Sequence, residues 1–279
     1  MCDGASLSDP VRLQRAIGEL RVGVKRLGSE TVLDELRQAG CLKARFPRRL
    51  VPGWMDVVTL NTGGGIAGGD RLDLAFQIGV GARATVAAQA AERFYRTLPR
   101  DAPSQVLTRL AVSEAAALEW LPQETILFNH SALERRLEID LAPDASFLGV
   151  ETLVFGRAAM GETVRLGRLR DLIQVRRGDD LLLHDAVRMD GDLAARMRRP
   201  AIGKAAHVLA TLVYAAPDAE RRLDAVRASL GCLEAAASAW DGMLIARILG
   251  ADSARVRRTL IGVLDVLRES RPLPRVWLC

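Results

Sequence analysis

Aromatic side chains are scarce in this chain, 4% of 279 residues with two tyrosines, and the scarcity removes two kinds of ligand at once. Base stacking on nucleic acid needs aromatic platforms, and β-rich carbohydrate sites usually carry more Trp and Tyr than are present. Lysine is rarer still: Lys25, Lys43 and Lys204 are the only three, so the net charge of +5 and the pI near 9.4 rest on arginines spread among nearly as many acids. The short basic clusters Arg45-Phe-Pro-Arg-Arg49 and Arg196-Met-Arg-Arg199 lack interleaved aromatics. They fit contacts with acidic protein partners, and no nucleic-acid partner is expected. The three histidines, His130, His184 and His207, form no H-x-x-x-H pair and none neighbours a cysteine. That argues against a dedicated transition-metal cage and a Cys/His nucleophilic pair. Cys2, Cys41, Cys232 and Cys279 are scattered, with neither zinc-site nor disulfide spacing, and are expected to be reduced thiols with one or two buried. No stretch approaches the ~18 apolar residues of a membrane span, and Met1–Ser6 lack the regions of a signal peptide. The expectation is a cytoplasmic protein with no membrane partner.

Glycine, by contrast, is concentrated where it invites a wrong reading. Gly63, Gly65 and Gly68 in Asn61-Thr-Gly-Gly-Gly-Ile-Ala-Gly-Gly-Asp70 fit G-x-G-x-x-G after a plausible strand, Asp56–Leu60. A dinucleotide site then needs a helix N-terminus to face the pyrophosphate. The next segment is instead Arg71-Leu-Asp-Leu-Ala-Phe-Gln-Ile78, apolar at every even position, which is a strand. No Gly-Lys-Ser/Thr comes after the glycines to make a phosphate loop. The glycines therefore read as a tight connection between two strands.

Short alternating runs recur at Leu72–Ile78, Arg83–Ala88, Val106–Val112, Leu133–Leu141, Phe147–Phe155, Thr163–Leu169 and Asp171–Val175, separated by turn signals such as Pro143-Asp144 and Arg177-Gly-Asp179. The pattern predicts a mainly β fold, a sandwich, barrel or stacked β-helicoid, without the helical crossovers of a doubly wound sheet. Ser29–Gln38 reads as a helix, with Val32, Leu33 and Leu36 at helical spacing, and Ala205–Ala215 as a strand. Two C-terminal helices are expected: one after Pro217-Asp218 with Leu223, Val226 and Leu230 on one face, closed by Gly231, and one from Asp252-Ser253 with Val256, Leu260, Val263, Leu264 and Leu267 on a stripe. The whole is read as one domain, with a β-rich body over about 43–216 and a mixed part over about 217–279.

The chemistry-bearing residues are carboxylates in apolar surroundings. Glu124 sits in Trp120-Leu-Pro-Gln-Glu-Thr-Ile-Leu-Phe128, Glu151 and Glu162 flank Phe155-Gly-Arg157, and Asp70 ends the glycine run. Each is either satisfied by an arginine such as Arg157 or by a turn, or placed for function. A glycosidase-like carboxylate pair is conceivable, but there is no G-x-S-x-G elbow. Tyr95 reads as a buried anchor whose hydroxyl finds one partner, and Trp120 as core or interface.

Taken together, Gly64-Gly-Ile-Ala-Gly-Gly-Asp70, Gln89-Ala-Ala-Glu-Arg-Phe-Tyr-Arg96, Trp120–Phe128, Phe155-Gly-Arg-Ala-Ala-Met-Gly-Glu162 and the closing Pro274-Arg-Val-Trp277 resemble the urease accessory protein UreD (UreH) family in order, spacing and chain length from roughly Lys43 onward. Ala87-Ala88 and Arg93 depart from the threonines and the Lys or Ser common there. The resemblance implies a non-enzymatic maturation factor, a β-helicoid that binds the urease apoprotein together with UreF and the GTPase UreG. It implies no tightly bound cofactor, only transient Ni²⁺ moving through an internal passage. Isolated oxygen ligands would hold such a cargo weakly, where N/S cages would trap it, so Asp70, Glu124, Glu151 and Glu162 are the candidates for that passage. A β-rich hydrolase using two of the acids and a plain binding module for an acidic partner are the alternative readings.

Overall fold

Alternation of apolar and polar residues is what a strand with one dry face produces. It governs most of residues 14–278, the part of the chain that the computed structural model describes. The first strands are β1 (Ile17–Leu27), β2 (Glu30–Gly40), β3 (Leu42–Arg45), β4 (Trp54–Asn61), β5 (Arg71–Ile78), β6 (Arg83–Ala88), β7 (Glu92–Phe94), β8 (Ser104–Val112) and β9 (Ala117–Leu121). Next come β10 (Thr125–Leu127), β11 (Ala132–Leu141), β12 (Ser146–Phe155), β13 (Gly167–Arg177), β14 (Asp180–Gly191), helix α1 (Leu193–Arg198), β15 (Val208–Ala215), helix α2 (Ala219–Ser229), β16 (Glu234–Trp240), β17 (Met243–Gly250) and helix α3 (Ser253–Leu267).

One sheet runs β14-β13-β11-β8-β5-β1-β2 and the other β16-β17-β15-β12-β9-β6-β4-β3. From β4 to β13 the chain passes back and forth between them: β4, β6, β9 and β12 are parallel neighbours in one sheet, and β5, β8, β11 and β13 in the other. Each circuit adds one strand to each sheet. This is a stacked β-helicoid, one of the three layouts that the alternating runs allow and the one that the resemblance implies, closed at its margins by antiparallel strands. The glycine run is the β4–β5 connection, as read from the sequence.

The inner faces meet in a core that includes Leu133, Leu137 and Ile139 of β11 and Leu169, Ile173 and Val175 of β13. A second core lies on the outer face of the larger sheet, where Val226 of α2 and Leu260, Val263 and Leu264 of α3 cover Val150, Leu212, Leu244 and Ile248. Each such buried aliphatic contributes roughly 1.5–3 kcal/mol by leaving water. Asp252 caps α3 by accepting from the Ala254 N–H at 2.8 Å. Two arginines then tie the helix to the sheet. Arg257 meets Glu124 at its start, and Arg268, 2% exposed, meets Glu119 at its end.

Three expectations need correction. Ser29–Gln38 is not helical but lies mostly in β2, paired with β1. A bulge there sets Val24 opposite Leu33 and Val22 opposite Leu36, leaving Asp34 as the extra residue. Leu33 and Leu36 thus share a face three residues apart, and the bulge imitates helical spacing. Among the described residues the strands begin at Ile17 rather than near residue 43. Thr163–Leu169 and Asp171–Val175 are not two strands: β13 alone spans Gly167–Arg177. Of the cysteines, Cys41 is half-buried and Cys232 exposed, whereas Cys2 and Cys279 lie outside the described residues.

Candidate functional site

The parallel order of β4, β6, β9 and β12 has a geometric consequence: the segments after them leave the sheet on the same edge. There Ile66 pairs with Phe94, Phe94 with Leu127, and Leu127 with Phe155 in one parallel ladder. All four are 3% exposed or less. The four motif-bearing segments, dispersed over about a hundred residues of sequence, are stacked rungs of a single face. Glycine is required where this face is tightest. A Cβ on Gly65 would lie 2.2 Å from the Tyr95 ring, and one on Gly156, at φ +83°, would lie 2.4 Å from the Glu162 carbonyl oxygen. Tyr95 is half-exposed rather than buried. Its ring meets Phe128 edge-on at 5.1 Å, and its hydroxyl donates to the Gly64 carbonyl at 3.1 Å, the single partner expected.

Beneath this face the space between the sheets is not filled. A cavity of about 60 Å³ opens beside the glycine run, lined by Thr59, Asn61, Gly64, Gln89 and Glu92 among others. Thr59, Leu60 and Glu92 also wall an inner cavity of about 80 Å³ that reaches Thr108, Trp120, Thr125, Arg135 and Glu151. Arg135 and Glu151 in turn border a gap of about 10 Å³ lined by Asp171, Asp185 and Thr211. Three adjoining spaces thus run from the motif face into the molecule, and carboxylates stand in their shared walls.

The chain of acids is anchored by one buried arginine. Arg135 donates from Nε and Nη2 to the two oxygens of Asp171, each at 2.7 Å, and from Nη1 to Glu151 Oε2 at 2.5 Å and Thr125 Oγ1 at 2.9 Å. The Trp120 indole N–H donates to the other Glu151 oxygen at 2.8 Å. All three charged residues are 8% exposed or less. Two carboxylates face one guanidinium, so the buried cluster is one positive charge short. Burial pushes the Glu151 carboxyl above its usual range, against the pull of Arg135, and the neighbouring Asp171 charge pushes the same way. Burial works against the Arg135 cation, yet Asp171 and Glu151 together hold its pKa above the ordinary guanidinium value. Towards the mouth, burial also raises the Glu92 carboxyl, which accepts from the Asn61 amide at 3.1 Å and has no ion-pair partner among the described residues. At the far end Asp185 is paired with Arg247.

The four carboxylates singled out from the sequence do not meet in one place. Glu151 lies on the cavities. Asp70, 5% exposed, locks the glycine turn by accepting from the Ala16 and Ala67 N–H groups at 2.8 Å each. Glu124 holds Arg257 at 3.0 Å, and Arg257 lies over the Trp277 ring at 4.7 Å. The Trp277 N–H donates to the Leu121 carbonyl at 2.9 Å, so the Pro274–Trp277 motif is clamped onto the β9–β10 connection. Glu162 sits at the surface, paired with Arg157 at 2.7 Å as its sequence context suggests; Arg157 in turn covers the Phe128 ring at 4.2 Å. Among the described residues no group of three or more His, Cys, Asp or Glu side chains could hold a metal ion. None of their helices is long and apolar enough to cross a membrane.

The comparison with known families decides what this face belongs to. The model described as UreD urease accessory protein matches residues 16–278, nearly the whole chain. The chain belongs to the UreD family of urease accessory proteins. It is 44% identical to the urease accessory protein UreD of Methylobacterium sp. (strain 4-46) over 275 residues, covering 95% of this chain and 96% of that one. It is 43% identical to UreD of Azorhizobium caulinodans, covering 95% and 97%, and 44% identical to UreD of Xanthobacter autotrophicus, covering 98% and 93%. The five segments that resemble UreD proteins in sequence are therefore not independent marks. Four build the ladder face, and the fifth pins the C-terminal end against the Leu121–Glu124 connection.

Sequence reasoning missed Glu92, Arg135, Asp171 and Asp185. For two of them a signal existed. In β11 the inward stripe reads Leu133-Arg135-Leu137-Ile139-Leu141, and in β13 Leu169-Asp171-Ile173-Val175. A charge inside an otherwise apolar period-two stripe is a buried charge in waiting.

Proposed function

We propose that this chain is a maturation factor for urease, a non-enzymatic scaffold in the accessory assembly with UreF and the GTPase UreG, and that Ni²⁺ travels to the apoenzyme through the adjoining cavities between its sheets. The observation that carries the reading is the charge of those cavities: Glu92 without an ion-pair partner among the described residues, and Glu151 with Asp171 sharing one guanidinium. Such an interior favours a cation over an anion, and isolated carboxylates and threonine hydroxyls would let a borderline metal pass without trapping it. Nickel is here the cargo, and GTP hydrolysis belongs to the partner, consistent with a glycine run that leads into a strand. Of the four residues first considered, Glu151 borders the cavities and suits this role, while Asp70, Glu124 and Glu162 have structural partners that account for them.

The test is urease activity in cells that carry the matching urease operon with this gene alone deleted, with and without excess Ni²⁺. Inactive, nickel-poor urease restored by the wild-type gene is the expected result. Restoration should fail for Glu151→Gln combined with Glu92→Gln, and succeed for Glu162→Leu. Full activity in the deletion strain would sink the maturation role. Full restoration by the double variant, with the assembly intact, would remove the passage.

A further inference from the structure

A further cavity lies away from the motif face. It is a cleft of about 320 Å³ at the opposite edge of the larger sheet, where β4, β6, β9 and β12 begin. Its walls include Trp54, Arg83, Asp144, Tyr214, Arg222 and Arg271. A volume of that order suits a small ligand or a few residues of a peptide.

Its acceptors are already engaged. Glu119 accepts from Thr85 at 2.7 Å and from Arg268 at 3.0 Å, and pairs with Arg271 at 2.7 Å. Asp218 accepts from the Tyr214 hydroxyl at 2.7 Å and from Arg222 at 2.5 Å, and Arg222 reaches Glu269 as well. Asp144 accepts from the Ala115 N–H at 3.0 Å.

What remains uncommitted are donors. The Arg271 guanidinium lies over the Trp54 ring, 4.1 Å from its centroid, and its Nη1 is buried with no hydrogen-bond partner among the described residues. Arg83 has an exposed side chain with no ion-pair partner among the described residues. A buried guanidinium nitrogen without an acceptor costs free energy that a bound acceptor would return. The backbone at the rim is strained in the same place: Ala115, Glu269 and Ser270, none of them glycine, have φ of 53°, 52° and 57°. Strain of this kind concentrates at ligand sites.

We infer that this cleft is a binding site for a carboxylate, recognised by Arg83 and the free edge of Arg271. Guanidinium forks match both carboxylate and phosphate, but Glu119, Asp144, Asp218 and Glu269 line the same walls. With Arg83, Arg222 and Arg271 the walls carry one negative charge in excess, which opposes a dianion more than a monoanion; each of the four acids is already held by donors of its own, so the groups left to meet a ligand are the Arg83 and Arg271 guanidiniums. The carboxylate could come from a chain terminus or from an acidic side chain, and the two sources are separable by probe. The site is at the other end of the sheet from the proposed cation route and does not depend on it.

The experiment titrates the full-length protein at neutral pH with N-acetylglycine, which mimics a chain terminus, and with acetyl-Gly-Glu-Gly-amide, which offers a side chain. Acetylglycinamide and inorganic phosphate serve as neutral and dianionic comparisons. Trp54 fluorescence is the readout, because Arg271 must shift on its ring to meet the ligand; Trp54→Phe identifies the signal. One of the two carboxylates is expected to bind saturably, and Arg83→Gln to weaken it about tenfold, the scale of one charge-assisted contact. Arg271→Gln should abolish binding. Arg83 is exposed, so its variant tests the site even where the Arg271 variant fails to fold. A response equal for acetylglycinamide, affinity unchanged by Arg83→Gln, no saturable binding of either carboxylate, or tighter binding of phosphate would each overturn the assignment.

Discussion

Arg135→Met is the substitution that tests most directly whether the buried charges between the sheets are as tightly linked as their geometry requires. Methionine fills much of the arginine's volume and packs among the apolar neighbours of β11, so the change is chiefly electrostatic. It leaves Glu151 and Asp171, each 8% exposed or less, facing each other without a cation. Removing one partner of a buried ion pair typically costs about 3–5 kcal/mol, and two stranded carboxylates put this case at the upper end. For a chain of this size that is roughly 6–20 °C of melting temperature, at about 2–4 °C per kcal/mol. The triple variant Arg135→Met/Glu151→Gln/Asp171→Asn removes all three charges, while the amide oxygen introduced in place of the Glu151 carboxylate can still accept the Trp120 N–H. It should be more stable than the single variant, because no buried charge is left without a partner, while each new amide donor that finds no acceptor costs about 1–3 kcal/mol. Urea unfolding followed by far-UV circular dichroism measures both, with an unchanged slope as the sign that the same surface is exposed. A single variant that loses less than about 1 kcal/mol, or a triple variant no more stable than the single, would refute the coupling.

Three further outcomes are expected. The folded protein holds the Glu92 proton more tightly than the unfolded chain does, since burial raises its carboxyl pKa; the stability tied to that proton is present below the unfolded carboxylate range and lost as pH rises through the folded value. Glu92→Gln should therefore melt higher than wild type at neutral pH, with the gain shrinking as pH falls through the raised folded value and gone below about pH 4.3, the unfolded value; a gain independent of pH would contradict this. Gly156→Ala forces a left-handed backbone on a residue whose Cβ meets the Glu162 carbonyl, and should cost about 1–3 kcal/mol in urea unfolding, more than alanine at Gly161, where a Cβ has open space. Arg268→Met removes the buried cation that joins the end of α3 to Glu119, 2% exposed, leaving that carboxylate to Arg271 and Thr85, and should loosen α3 from the sheet. Hydrogen exchange in residues 253–267 should rise well before exchange in β11, and equal protection in both would count against Arg268 as the tie.

The helicoid was legible because its strands alternate with little interruption and its turns carry glycine, proline and aspartate. Where the pattern misled, a local irregularity was responsible: the extra residue at Asp34 gave Leu33 and Leu36 a helix-like spacing on a strand. The α3 stripe was read correctly because five apolar residues at helical spacing bury together. The candidate site was legible only in part. Glu151 stands out as an acid in an apolar run, and so do Glu124 and Asp70, yet one lines the cavities and the others clamp a helix and a turn. Nothing local separates these cases. The difference lies in what the neighbouring strands bring opposite, and that is a property of register.

Register is also what joins the residues that were missed. Arg135 and Asp171 are direct partners across the parallel β11–β13 pair, thirty-six residues apart, and Glu151 reaches them from the facing sheet. Each stripe alone shows one charge among aliphatic residues; only their juxtaposition shows a cluster with one negative charge in excess. Apolar residues of similar volume would serve stability as well or better at such positions. The chain as a whole runs the other way, with a net charge of +5 carried almost entirely by arginine. A cationic protein that confines surplus carboxylates between its sheets has separated the charge that suits acidic protein partners from the charge that suits a travelling cation, and this separation is the physical content of the proposed function.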